Sequence, residues 1–117
     1  MDDCKLSDKK CTPCTGKTPR FTQAEIDERL PLVPEWRYYV NDAGVKIRRD
    51  FFFPNSKTAT NFIHKIEAIS KEENHHAACL HDNCKVEVSL TTHAIRGMSE
   101  NDFILAAKIN AIEMVVV

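Results

Sequence analysis

Apolar residues along this chain switch between helical and strand spacing, and the switches predict its elements. Thr22-Gln23-Ala24-Glu25 has the form of a capping box, in which the threonine oxygen accepts a first-turn N–H and the glutamate reaches back. Ile26 and Leu30 then share a helix face. Pro31 and Pro34 end this short helix, because proline lacks an N–H and disfavours helix in its predecessor. Trp36, Tyr38 and Val40 fall on one face of a strand. Val45, Ile47, Arg49, Phe51 and Phe53 alternate with Lys46, Arg48, Asp50 and Phe52 in a second. Between them, Asn41 to Gly44 forms a turn with Gly44 available for positive φ, so the pair is a hairpin.

Pro54 stops the second strand, and Asn55 or Ser56 caps a helix that runs to about Glu72. Its residues Ala59, Phe62, Ile63, Ile66 and Ile69 form one apolar stripe. Lys71 to Asn83 is polar and rich in His and Cys; a third strand can begin inside it, but periodicity does not place that strand. Alternation returns with Val86, Val88, Leu90 and Thr92 on one face and Glu87, Ser89, Thr91 and His93 on the other. Arg96-Gly97 turns the chain. Ser99 to Asp102 is a second capping box, opening a helix toward Ile112 with Leu105, Ile109 and Ile112 as its stripe. Met114 to Val117 is an apolar tail expected to fray or to pack against a partner. Residues 1–20 show neither period and are expected to form a flexible arm carrying Cys4, Cys11 and Cys14, leaving residues 21–117 as the folded domain. The order α-β-β-α-β-β-α implies an α+β fold: a four-stranded antiparallel sheet with three helices packed on one face.

Composition narrows the function. A chain of 117 residues fits one domain. Its 16 Lys+Arg against 17 Asp+Glu lack the basic excess of a general nucleic-acid binder, so no direct nucleic-acid contact is expected. No apolar run approaches the roughly 18 residues of a membrane span. The polar stretch MDDCKLSDKK offers neither a secretory signal nor a transit peptide. Five cysteines, an odd number, speak against a closed disulfide framework and for thiols in a reducing compartment. The cytoplasm is the expected location, with an organelle as the alternative.

The chemistry concentrates between Lys71 and Asp102. Of the four histidines there, three fall as the doublet His75-His76 and as His93 at the end of a strand. Imidazole titrates near neutral pH, so such a set can donate and accept protons without a metal or cofactor. Simpler roles exist for each residue. A bare His doublet is usually a solvated loop, and Asp102 is the N3 carboxylate of a cap. Thr92 alternates with core residues, while Lys71 suits the negative pole at a helix C-terminus. A metal is the rival reading. His75, His76, Cys79, His81 and Cys84 crowd together, and Cys11-x-x-Cys14 adds a pair, yet the spacing lacks the paired order of zinc modules and no metal is assigned.

Taken together, Lys71, His75-His76, Thr92-His93, Gly97 and Ser99 to Asp102 resemble the pterin-4a-carbinolamine dehydratase family. The stretches PEWRYY and GMSENDFILAAKIN extend the likeness to about residues 21–113. The resemblance implies dehydration of a 4a-hydroxytetrahydropterin to the quinonoid dihydropterin, in tetrahydrobiopterin recycling. His75, His76 and His93 would be catalytic, with His75 and His93 exchanging protons and His76 orienting the ring. Asp102, Lys71 and Thr92 would serve substrate binding, Asp102 fixing a histidine tautomer or accepting from the ring. It further implies no cofactor, a pterin ligand, and a homodimer or homotetramer. Three positions depart from the family pattern. Ala77 replaces a common proline, Cys79 stands where tryptophan is frequent, and no aromatic lies between His76 and His93. Some relatives also bind homeodomain transcription factors through a helix face. A dimerisation or transcription-cofactor module, or a small zinc-stabilised one, is therefore the alternative.

Overall fold

Local start signals set the helices. The computed structural model describes residues 11, 20–41, 44–92, 95 and 97–112. Thr22 Oγ1 accepts the Glu25 N–H at 3.2 Å and Glu25 Oε1 accepts the Thr22 N–H at 2.9 Å, opening α1 (Gln23–Arg29). A 3-10 turn, Leu30–Leu32, follows at Pro31. Asn55 Oδ1 accepts the Thr58 N–H at 2.8 Å and opens α2 (Ser56–Glu73). Ser99 is the N-cap of α3 (Glu100–Asn110).

The strands are β1 (Arg37–Asn41), β2 (Gly44–Phe52), β3 (Ala78–Asp82) and β4 (Lys85–Leu90). They form one antiparallel sheet in the order β1-β2-β4-β3, so two hairpins meet along a β2–β4 seam. Gly44 takes φ 126° as β2 begins. The β3–β4 hairpin turns through Asn83-Cys84, with Asn83 at φ 56°, as a two-residue turn requires. β3 is the strand that periodicity could not place. Four of its five residues are exposed, so there is no apolar alternation to read.

The seam register pairs Ile47 with Leu90 and Phe51 with Val86, which puts both hairpins' buried residues on one face. α2 and α3 pack on each other and on β4. Phe62 of α2 sits with its ring centroid 4.6 Å from Phe51 and 4.9 Å from Phe53. Arg49 shares that inward register yet is half-buried. Its guanidinium lies 4.3 Å over the Phe51 ring and donates to Asn110 Oδ1 at 2.7 Å. The same oxygen accepts Trp36 Nε1–H at 2.8 Å, tying β1 and β2 to the end of α3. Val40 departs from its predicted face. At 63% exposed it lies next to the last residue of an edge strand, although Trp36 and Tyr38 pack inward. The fold class expected from element order is the one observed. The arm, apart from Cys11 and Arg20, and the tail from Met114 lie outside the described residues.

Candidate active site

The end of α2 positions the first histidine. Asn74 adopts φ 53° and ψ 41°, the left-handed conformation that stops a helix and that asparagine tolerates better than most residues. The next N–H, from His75, turns back to the Ser70 carbonyl at 3.1 Å. The imidazole is thereby delivered toward the N-terminus of α3.

There it meets a closed hydrogen-bond network. His75 Nε2 lies 2.8 Å from Asp102 Oδ1. Asp102 Oδ2 accepts Thr92 Oγ1–H at 2.7 Å and the Ser99 N–H at 3.0 Å. The Ser99 hydroxyl and Thr92 Oγ1 are 2.8 Å apart. Because Thr92 gives its only proton to the carboxylate, Ser99 is the donor in that last bond. Asp102 is 0% exposed, Thr92 1% and His75 7%, so the network is screened little by water. A carboxylate accepts and does not donate, which places a proton on His75 Nε2. In the neutral ring the Nδ1 lone pair is then open. Nδ1 makes no hydrogen bond among the described residues.

On the other side of the doublet the surface is hollow. Between α2 and β3 lies a cavity of about 550 Å³ with His76 at its edge. Ile63 and Ile66 form an apolar wall, Glu67 and Lys71 stand on α2, and Ala77 and Cys79 come from the β3 side. Burial, with a smaller contribution from Glu67, pushes the Cys79 thiol up to about 11, so it is a neutral group at physiological pH.

The predicted residues thus divide into two sets. His75, Thr92 and Asp102 come together inside the protein, where Thr92 and Asp102 stand behind His75 with their polar atoms bonded to neighbours. His76 and Lys71 are exposed and line the hollow. His93 lies outside the described residues. Its predecessor Thr92 is fixed by the network, and Thr92 and Gly97 bond N–H to carbonyl at 2.9 and 3.4 Å, closing the loop between them. Ser99, Asn74, Ser70 and Glu67 were not singled out for the site from sequence. A faint signal existed for the last two, since positions 63, 66, 67, 70, 71 and 74 recur at helical spacing. Among the described residues no three His, Cys, Asp or Glu side chains converge as metal ligands, and His81 Nε2 lies 2.7 Å from the Asn83 carbonyl. A second hollow, about 430 Å³, is lined from β1 and β2 by Arg37, Tyr39, Arg48, Arg49 and Asp50, with Glu35 beside them. Arg48 there is held by Asp50 at 3.3 Å and Glu87 at 3.5 Å.

Three findings compare this architecture with known proteins. The sequence profile of the pterin 4 alpha carbinolamine dehydratase family matches residues 19–112. A Methylococcus capsulatus (strain Bath) protein provisionally named pterin-4-alpha-carbinolamine dehydratase is 40% identical over 112 residues, covering 94% of this chain and 95% of that protein. The crystal structure of a transcriptional coactivator/pterin dehydratase from Brucella melitensis superposes with a TM-score of 0.73 at 30% identity. It covers 80% of this chain and 97% of that one.

Proposed function

This chain belongs to the pterin 4 alpha carbinolamine dehydratase family, and on that premise we propose that it dehydrates a 4a-hydroxytetrahydropterin by histidine acid–base catalysis. The reaction breaks the C4a–O bond. A proton delivered to the departing hydroxyl makes it water, and the N5–H proton passes to a base, leaving the quinonoid dihydropterin with no net change in protons on the protein. The observation that carries the reading is the 2.8 Å contact between His75 Nε2 and Asp102 inside a buried network. A carboxylate so placed holds the imidazole in one tautomer, leaving Nδ1 as the working atom. His76, at the edge of the hollow, suits hydrogen bonding to the heterocycle, with Lys71 beside it. His93, next to the anchored Thr92, is the second proton-transfer group. Asp102 and Thr92 act through His75 as positioning residues.

A direct assay of 4a-hydroxytetrahydropterin breakdown tests the scheme, with His75, His76 and His93 replaced by alanine one at a time. General acid–base catalysis is worth about 100- to 10,000-fold, so losses of that order are expected at His75 and His93. Full turnover by His76→Ala would remove the scheme as written. Self-association through sheet edges, and a cytoplasmic setting, remain part of the proposal. β1 and β3 are the outer strands of the sheet, with Val40 63% and Leu80 64% exposed. A molar mass above 13.3 kDa in light scattering is the expected result. No helix among the described residues is long and apolar enough to cross a membrane.

A further inference from the structure

We propose that Cys11 is a positioning residue for the His75–Asp102 pair, and that its backbone N–H is the group that matters most. The inference rests on the dehydratase reading above. The pair forms where two helix ends meet, and Cys11 touches both ends. Its N–H donates to Glu73 Oε1 at 2.8 Å, and Glu73 is the last residue of α2, two before His75. Its Sγ–H donates to the Asn101 carbonyl at 3.7 Å, and Asn101 directly precedes Asp102 in the first turn of α3. Cys11 thus bridges the supports of both partners, although it lies 62 and 90 residues from them along the chain.

Glu73 occupies a costly place for a carboxylate. Its side chain is 2% exposed, and it sits at the end of a helix where the dipole is negative. Burial and the dipole both oppose its charge, so the group depends on donors. Lys108 Nζ, from the last turn of α3, lies 3.8 Å from Oε2, while the Cys11 N–H serves Oε1. Glu73 therefore ties α2, α3 and the N-terminal segment together at one point. A hydrogen bond to a carboxylate is about twice as strong as one between neutral groups. Taking the Cys11 N–H away removes such a bond from Oε1 and frees the end of α2 to shift. His75, held to that end through its N–H on Ser70, shifts with it and loses its fixed approach to Asp102. The thiol is a weak donor, so its own loss costs less.

The test compares full-length variants. Cys11→Pro removes the N–H, Cys11→Ser keeps it with a hydroxyl in place of the thiol, and Glu73→Gln keeps an acceptor without the charge. Each is measured for breakdown of a 4a-hydroxytetrahydropterin, for 15N spectra of the His75 ring and for thermal melting. Cys11→Pro should lower kcat about tenfold or more, since small misplacements of a reacting group are costly, and His75 should divide between its two tautomers. KM should stay within about twofold, because no residue lining the hollow is changed. Cys11→Ser should bring kcat back to within about threefold of the parent, with a single Nε2–H tautomer. In the Glu73→Gln background, Cys11→Pro should cost less than it does in the parent. If Cys11→Pro fails to fold, Glu73→Gln alone carries the test, with a fall in kcat of about threefold or more and a divided His75 tautomer. A lower melting temperature with kcat and tautomer unchanged would overturn the proposal, as would a serine variant as impaired as the proline one, or equal costs in the two backgrounds. Full turnover by Cys11→Pro would sink the positioning role and leave the dehydratase reading standing. A parent without turnover whose His75 tautomer still divides in Cys11→Pro would do the reverse.

Discussion

Asp102→Asn isolates the role of one carboxylate with almost no change in volume. In the native network its two oxygens take three donors: His75 Nε2–H, Thr92 Oγ1–H and the Ser99 N–H. Asparagine offers one oxygen and one NH2. If the oxygen keeps Thr92 and Ser99, the NH2 faces His75, and two donors oppose each other until the ring moves its proton to Nδ1. The opposite flip sets NH2 against the Ser99 N–H, which has no alternative tautomer, so the first arrangement wins. One charge-assisted bond is lost, worth about 1.5–3 kcal/mol, and the chain stays folded if its stability is in the usual range of about 5–15 kcal/mol. Turnover suffers far more. The Nδ1 lone pair is now occupied, so the ring presents a proton where the reaction needs a base. A loss of about 100-fold or greater is expected at saturating substrate. Urea unfolding gives the stability change, substrate breakdown gives the rate, and 15N spectra of the His75 ring give the tautomer. An Asp102→Asn protein that keeps its Nε2–H tautomer, or that turns over within about threefold of the parent, would refute the positioning role assigned from this geometry.

Other outcomes follow from single contacts. Asp102→Ala strips the acceptor from all three donors and should cost about 3–5 kcal/mol in urea unfolding, near the value for breaking a buried pair. Asn74→Ala forces an ordinary side chain into the left-handed region and should cost about 1–2 kcal/mol, whereas Asn74→Gly should be close to neutral. Asn110→Ala leaves Trp36 Nε1–H and Arg49 without their shared acceptor, so a loss of about 1–3 kcal/mol and a change in tryptophan fluorescence are expected. Cys79 should resist iodoacetamide at pH 8 and react faster as pH approaches 11. Because its folded value is raised above the ordinary 9.0, its contribution to stability is complete below pH 9 and disappears as pH rises through about 11.

Much of the scaffold was legible because its signals are local. The Thr22 cap, the hairpin through Gly44 and the stripe on α2 are each decided within a few residues, and each was foreseen from them. β3 was not, since an edge strand exposed along four of five positions carries no burial pattern. Arg49 follows the inward alternation for a reason periodicity cannot supply: its partner, Asn110, lies 61 residues away. The residues of the candidate site were visible by kind and by family likeness. Their contact was not, because His75 and Asp102 are 27 residues apart and meet through two helix ends. Asp102 shows both halves of this. Its capping pattern could be read from the sequence, whereas its bond to an imidazole could not.

The strand order has a kinetic consequence. β1–β2 and β3–β4 are each joined by a tight turn and can zip early, but the β2–β4 seam closes a loop that contains α2 and the whole second hairpin. Thr92 lies just beyond the end of β4 at Leu90, downstream of that closure. A refolding chain should therefore acquire most of its far-ultraviolet signal before it regains any turnover, and mutations along Ile47–Leu90 should slow the recovery of activity more than those in either turn.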